Sequence, residues 1–166
     1  MKSIDRDGLL LCDIQAKTFE LSLSSAGCSS EIFIRRFMYS NVSTLMDNLS
    51  FLDSNLQARD ILDSIDEEFG KTGYGSVKYT ANEMHWIGYI YRYFAYTCEK
   101  SSKQVYRIIK PKELRSLYLP YHTMDPAKAV DMILEARGLA LDEEAELKRQ
   151  YEILKRIRTP QFRKRS

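Results

Sequence analysis

The clearest helical pattern in the chain is TANEMHWIGYIYRYFAYTCE, residues 80–99. Thr80 and Glu83 form a capping box, because a hydroxyl at the N-cap and a carboxylate three residues later satisfy free backbone donors at a helix start. Two faces of this helix are apolar, one with Met84, Ile87, Tyr91, Phe94, Ala95 and Cys98, and one with Trp86, Ile90, Tyr93 and Thr97. A helix that is apolar nearly all round is predicted to be buried and central.

One further stripe of this helix steps along the chain by four and three residues, and its members are His85, Tyr89, Arg92, Tyr96 and Glu99. Tyr and Arg are enriched at binding hot spots, since they bury much area and keep a polar group. The stripe therefore predicts a partner-binding surface. The alternative is a contact within the molecule, because a central helix must touch neighbours on most sides.

The pattern of the rest of the chain is also helical, because its four prolines and most of its seven glycines fall between apolar repeats of helical spacing. No segment shows the sustained alternation of a strand. We predict an all-α fold, a single compact domain of about six to eight helices with a short basic C-terminal tail. The expected parts are an acidic N-terminal helical subdomain (1–70), a glycine-rich linker (71–79), a central helical subdomain (80–138) and a C-terminal helix with the basic tail (139–166).

The charge of the 166 residues is unevenly distributed, although the net charge is only +2. Residues 1–70 hold six Lys and Arg against twelve Asp and Glu, whereas residues 71–166 hold nineteen against eleven. Opposite charge on two surfaces favours oriented docking on a charged partner. Two solvated faces that balance each other are the alternative interpretation.

Motif analysis finds little that would support catalysis. The chain has no GxSxG, HExxH or Rossmann glycine pattern, and its two histidines and three widely spaced cysteines form no zinc motif. We therefore predict no enzyme activity, no catalytic residue, no metal site and no cofactor. No apolar run approaches the ~20 residues of a membrane span, and the N-terminus does not resemble a signal peptide, so we expect a cytoplasmic protein with reduced thiols and no membrane partner.

One arrangement qualifies this expectation, namely Arg115 six residues before His122. Small helical ribonucleases of the HEPN class use an arginine and a histidine at about this separation to steady phosphate charge and to move protons. Here Pro120 interrupts the helix that would align the two residues. A surface arginine and a histidine that fixes a turn are the simpler interpretation.

Basic residues form two clusters in the second half of the chain. The first holds Lys100, Lys103, Arg107, Lys110, Lys112 and Arg115, and the second holds Lys155, Arg156, Arg158, Arg163, Lys164 and Arg165. Either cluster is suited to phosphate contacts, so nucleic acid is a possible partner, and solvated basic faces are the alternative. No recognition helix with Asn, Gln and Arg together is present, which argues against specific DNA readout.

The block at 79–134 resembles a known group of small helical proteins. It contains EMHWIGYIYRY at 83–93, SSKQVY at 101–106, KPKEL at 110–114, LY at 117–118, YHTMDP at 121–126 and AV at 129–130. Together with IFIRRFM at 32–38, it is similar to antitoxin-like proteins of Gram-positive bacteria that are encoded beside ADP-ribosyltransferase-like toxins. The resemblance implies a cytoplasmic binding protein that neutralises its toxin by covering the active site or holding it inactive. It identifies no functional residue.

The leading prediction is therefore a non-enzymatic binding protein, the antitoxin of a toxin–antitoxin module with a cognate, ADP-ribosyltransferase-like toxin as its partner. The residues predicted to bind the partner are His85, Tyr89, Arg92, Tyr96, Lys103 and Arg107. The alternatives are a helical nucleic-acid-binding regulator and a small ribonuclease that uses Arg115 and His122. The sequence leaves the oligomeric state open.

Overall fold

The computed structural model describes residues 1–139 and 143–158. This part of the chain contains ten α-helices and one 3-10 turn (Ser50–Asp53), and it has no strand, which confirms the all-α prediction. The helices are α1 (Arg6–Ser25), α2 (Ser30–Met38), α3 (Asn41–Asp47), α4 (Ala58–Phe69), α5 (Ala81–Thr97), α6 (Ser102–Ile108), α7 (Pro111–Ser116), α8 (Tyr118–Tyr121), α9 (Pro126–Ala136) and α10 (Glu143–Arg158). The sequence prediction missed the short helices α3 and α8.

The helices fall into two compact units, Met1–Val130 and Asp131–Ser166. This boundary differs from the predicted ones, because segment 71–79 lies inside the first unit rather than between two subdomains. The second unit contains the end of α9 and all of α10. The basic residues predicted for the tail at 159–166 lie outside the described residues.

The first unit is organised around the close approach of α1 to α5. A Cβ atom added to Gly88 of α5 would lie 2.8 Å from the ring of Phe19 and 3.0 Å from the Cα atom of Ala16. A Cβ atom added to Gly8 would lie 2.6 Å from the ring of Tyr96. Only glycine permits this separation, so two glycines bring the helices into contact along their length.

Aromatic packing fills the space between α1 and α2. The ring of Phe19 meets Phe33 and Phe37 edge to face, with ring centroids 5.5 Å and 4.9 Å apart. All three side chains are buried, as are Ile61 and Ile65 of α4. These side chains recur at helical spacing within their own segments, so one face of each helix packs into the core.

The glycine-rich segment at 71–79 is bound to the junction of α1 and α2. The backbone amide of Ser29 donates to the carbonyl of Tyr74, and that of Ser30 donates to the carbonyl of Val77. Each hydrogen bond is 3.0 Å long. The Ser30 hydroxyl in turn accepts from the Tyr79 amide at 2.9 Å. The segment is therefore a strap across the first unit, and its glycines allow a close approach, since a Cβ atom on Gly75 would lie 2.7 Å from the Ser29 side chain.

The second unit is simple by comparison. Gly138 has a φ of 64°, a left-handed conformation that follows the end of α9 and favours glycine. α10 begins close to the Asp142 start that the sequence predicts. Its large apolar side chains from Leu147 onward are exposed.

Candidate partner-binding surface

The N-terminal half of α5 emerges from the core beside α8. His85, Trp86 and Tyr89 line a shallow pocket of about 400 Å³ together with Tyr118 and His122. Asn82 and Glu20 complete its wall. We call His85, Trp86, Tyr89, Tyr118 and His122 the aromatic surface.

Ring contacts hold the α8 side of the aromatic surface. Trp86 meets Tyr118 edge to face with ring centroids 5.9 Å apart, and the imidazole of His122 stacks on Tyr118 at 4.4 Å. The Nδ1 atom of His122 lies 2.7 Å from the carbonyl oxygen of Tyr118, so the imidazole is also tied to the backbone of its own turn. Leu119, between them in sequence, is 79% exposed.

A contact between His85 and Glu20 lies at the edge of the aromatic surface next to α1. The Nδ1 atom of His85 lies 3.0 Å from the Oε2 atom of Glu20, and both side chains are close to half exposed. Protonation of His85 would make this contact a salt bridge of the exposed kind, which contributes little to folding.

Tyr89 also lines the pocket. Burial raises the pKa of its phenol, and the carboxylates of Asp13 and Asp125 act in the same direction. The ring stacks on Tyr93 with centroids 6.3 Å apart. The phenol therefore stays protonated at neutral pH, which keeps its hydroxyl able to donate a hydrogen bond.

The chemistry of the aromatic surface favours binding. It brings together an exposed imidazole, that of His122, and four half-buried Trp, Tyr and His rings. Such side chains bury much area while keeping a polar group. None of its members is a Ser, Thr, Cys or Lys that a neighbouring base could activate as a nucleophile.

Arg92 lies elsewhere, and its assignment to a partner-binding surface is wrong, because its side chain is buried. Its Nη1 atom donates to Asp47 at 2.7 Å, its Nη2 atom to the Ser102 hydroxyl at 2.9 Å, and its Nε atom to Gln15 at 2.8 Å. Burial lowers the pKa of the guanidinium, while the carboxylate of Asp47 opposes that shift. We call Arg92, Asp47, Ser102 and Gln15 the buried polar cluster.

Tyr96 is also mostly covered, so it too is misassigned as a surface anchor. Its ring lies against Gly8, and its hydroxyl donates to the N-cap residue Asp5 at 2.6 Å. This hydrogen bond is the main reason that the pKa of Tyr96 rises to about 12, and it lowers the pKa of Asp5. Tyr96 thus fixes the start of α1 on α5.

The remaining two predicted residues, Lys103 and Arg107, are exposed on α6 at a different place. Lys103 lies 6.0 Å from the ring centroid of Tyr39, and Lys110 lies 4.4 Å from that of Tyr106. The two rings meet edge to face at 5.4 Å. We call Lys103, Arg107 and Lys110, with these two tyrosines, the basic surface.

Arg115 and His122, the candidate ribonuclease pair, have different neighbours. The Nε atom of Arg115 donates to Glu83 at 3.0 Å, and its guanidinium lies 4.2 Å from the ring centroid of Tyr79. His122 belongs to the aromatic surface, and Arg115 does not line that pocket. Among the described residues, the two side chains therefore contact different groups rather than facing each other.

A larger cavity of about 800 Å³ lies between the end of α1, α2, α4 and the strap. Its rim mixes cations with carboxylates, among them Arg36, Arg59, Asp63 and Asp66. Arg36 donates to the carbonyl of Gly70, and Arg59 donates to the Ser25 hydroxyl at 3.1 Å. These arginines therefore hold the neighbouring backbone and helix end.

No cluster of three or more His, Cys, Asp or Glu side chains with metal-binding geometry occurs in the described part of the chain. Cys12, Cys28 and Cys98 form no disulfide with one another, and burial raises the pKa of Cys12 to about 12. Among the same residues, no helix has both the length and the apolar content needed to cross a membrane.

Comparisons with protein-family models, with curated proteins and with solved structures give no match to this chain.

The residues predicted from the sequence include two of the five members of the aromatic surface, His85 and Tyr89, and not the other three. The sequence pattern places Trp86 on an inward face, and it pairs His122 only with Arg115. The usable signal was the four-residue spacing of Tyr118 and His122, which places two rings on one side of a helical turn. The mid-helix glycine Gly88 likewise signals a close helix contact, and that contact covers the adjoining part of α5.

Proposed function

We propose that this chain is a non-enzymatic binding protein that docks a partner protein on the aromatic surface. We further propose that the partner is a toxin, that docking neutralises it, and that both act in the cytoplasm. The toxin assignment is supported by the resemblance of the 79–134 block to antitoxin-like proteins. The docking surface is supported by the geometry of α5 and α8.

The observation that carries the docking proposal is the position of Trp86. It is the single tryptophan of the chain, and it remains half-buried at a pocket edge rather than entering the core. Tyr118 and His122 pack beside it, and Leu119 projects from the same turn. Tryptophan and tyrosine dominate the energetic centre of interfaces, so a partner that covers this group would gain most of its affinity here.

The shape of the pocket favours a protein over a small molecule. A drug-sized ligand is held in a concave site that buries about 70–90% of its surface. The pocket at the aromatic surface is shallow, with Leu119 exposed at its side, and it suits an inserted side chain with a wider contact around it.

The test compares Tyr118→Ala with Tyr74→Ala in cells that express the partner implied by the resemblance, an ADP-ribosyltransferase-like toxin encoded beside this chain. Tyr74 is a matched control because its side chain is 75% exposed on the strap, away from the aromatic surface. We expect wild type and Tyr74→Ala to form a complex and to restore growth, and Tyr118→Ala to lose both. Protection by Tyr118→Ala equal to that of wild type would contradict the docking site. Absence of complex and protection with the wild-type chain would contradict the toxin assignment.

Nucleic-acid binding is a second candidate because the basic surface interleaves cations with tyrosines. Lys103 and Arg107 are four residues apart on one exposed side of α6. Phosphate contacts make affinity fall steeply with salt. We expect each of Lys103→Ala and Arg107→Ala to reduce the salt slope of RNA or DNA binding by about one, whereas Lys17→Ala, which removes a cation of α1, leaves the slope unchanged. Binding that ignores ionic strength would exclude this function.

A further inference from the structure

Helix α10 has a wide apolar face that is exposed among the described residues. Five large apolar side chains of this helix are between 46% and 75% exposed, namely Leu147, Tyr151, Ile153, Leu154 and Ile157. Four of them follow the i, i+4, i+7, i+10 spacing of a single helical stripe. A helix of this length is marginal in water on its own and gains most of its stability by packing an apolar face. We therefore expect another apolar surface to pack against this face of α10.

The charge pattern of α10 identifies that surface. Its first turn carries Glu143, Glu144 and Glu146, and its last turn carries Lys155, Arg156 and Arg158. A partner helix that runs antiparallel and has the same sequence brings bases to the acidic end and acids to the basic end. A parallel copy would place like charges together at both ends, which is destabilising.

We propose that α10 pairs with α10 of a second copy of this chain in an antiparallel, two-fold symmetric contact. Placing Leu147 of one copy level with Leu154 of the other aligns the two apolar stripes. In that register the acidic turn of each helix lies beside the basic turn of its partner. The opposed helix dipoles favour the same arrangement, and a two-fold contact is closed, so assembly stops at a dimer.

This proposal rests on α10 alone and uses neither the aromatic surface nor the basic surface. A toxin-binding protein and a protein with another partner would both be able to dimerise in this way. Failure of the dimer would therefore leave the proposed function standing, and failure of the proposed function would leave the dimer standing.

The first test measures the molar mass of the full chain by sedimentation across a range of concentrations. We expect a monomer–dimer equilibrium that Leu154→Glu weakens by at least about tenfold in dissociation constant. Leu10→Glu is the matched control, because Leu10 is a half-exposed leucine on another helix. Leu154→Gln repeats the test without adding charge, and Trp86 emission verifies that the first unit remains folded.

The second test reverses the charges at the two ends of α10. Glu144→Lys with Glu146→Lys makes the helix basic at both ends, and Lys155→Glu with Arg156→Glu makes it acidic at both ends. Each doubly substituted chain should be monomeric by itself, and mixing the two should restore a heterodimer. Dimerisation of either chain alone at wild-type strength would overturn the proposal.

The third test determines the orientation by disulfide trapping in a Cys98→Ser background. Leu147→Cys and Leu154→Cys chains should cross-link to each other under mild oxidation and not to themselves, since seven residues of helix separate the two levels by about 10 Å. Self-linked products would show a parallel pair and overturn the proposal. A wild-type chain that stays monomeric at every concentration, or a dimer unaffected by Leu154→Glu, would also overturn it.

Discussion

The two halves of one stripe on α5 end in opposite environments. At the N-terminal half, His85 meets Glu20 of α1 at the solvent boundary. Two turns later, Arg92 meets Gln15 of the same helix but is also enclosed by Asp47, the last residue of α3, and Ser102, the first of α6. The difference in burial arises because α1 packs along both halves of the stripe, whereas α3 and α6 contact only the C-terminal half.

This difference teaches that residue type does not decide between a binding surface and a core. Arg and Tyr are suited to both roles, because each combines a large apolar body with a polar end. The number of elements that cover the position decides which role the side chain takes. We expect the buried polar cluster to stabilise the fold and the aromatic surface to contribute little to stability and to remain accessible to a partner.

The largest expected effect is that of Arg92→Met. The substitution leaves Asp47 without its cation, and breaking a buried ion pair costs about 3–5 kcal/mol of unfolding free energy. Lys17→Met is the control, because Lys17 and Asp13 are 2.8 Å apart, close to the 2.7 Å of Arg92 and Asp47, but their side chains are mostly exposed. The control should change urea-unfolding stability by about 0.5 kcal/mol or less. Equal effects of the two substitutions would contradict the structural role of the buried polar cluster.

Gly88→Ala should have the next largest effect on the free energy of unfolding. Alanine is the better helix former, but its methyl group would meet Phe19 and the backbone of α1 at 3.0 Å or less. Overpacking of this kind costs about 1–3 kcal/mol, more than the gain in helix propensity. Gly73→Ala is the control, since nothing lies within 4 Å of a Cβ atom there. A stabilising Gly88→Ala would mean that α1 and α5 are not held together as closely as described.

Much of the helical architecture was predictable from the sequence, for physical reasons. The capping box at Thr80 forms in the structure with both of its hydrogen bonds. Apolar residues at helical spacing such as Phe19, Phe33 and Ile61 are buried, although Phe69 at the end of α4 is 39% exposed. These signals are local, so they can be read from neighbouring residues. The short helix α3 lacked a clear apolar repeat, and the strap depends on backbone hydrogen bonds between segments more than forty residues apart.

The candidate site was less predictable because it depends on which faces are covered. Arg92 and Tyr96 follow His85 and Tyr89 at regular spacing, and nothing local distinguishes them. The buried polar cluster joins residues that are 45 and 77 positions apart from Arg92. Such distant partners leave no periodic trace in a single sequence.

A pH titration tests the hydrogen bond between Tyr96 and Asp5 and should show a smaller effect on the free energy of unfolding. Its pKa is raised from an ordinary value near 10 to about 12, chiefly by its hydrogen bond to Asp5. The contribution to stability is therefore complete below pH 10 and is lost as the pH rises through about 12. Tyr96→Phe should make the alkaline loss of stability shallower in urea titrations. An unchanged alkaline profile would show that the hydroxyl does not interact with Asp5.

The smallest expected effect on stability is that of His85→Ala. The contact with Glu20 is half exposed, so its loss should change the unfolding free energy by about 0.5 kcal/mol or less. Urea unfolding beside Arg92→Met gives the direct contrast between the two halves of the stripe. A loss comparable to that of Arg92→Met would place His85 in the folding core and argue against a free aromatic surface.

The most direct test of the docking account is the dissociation constant of the Trp86→Ala chain for the partner that co-purifies with the wild type. Loss of a hot-spot tryptophan costs about 2 kcal/mol or more, so we expect affinity to fall roughly thirtyfold or more while the chain stays folded by circular dichroism. Trp86→Phe, which retains an aromatic ring, should recover part of the affinity. Wild-type affinity in a folded Trp86→Ala chain would contradict the assignment of the aromatic surface as the docking site.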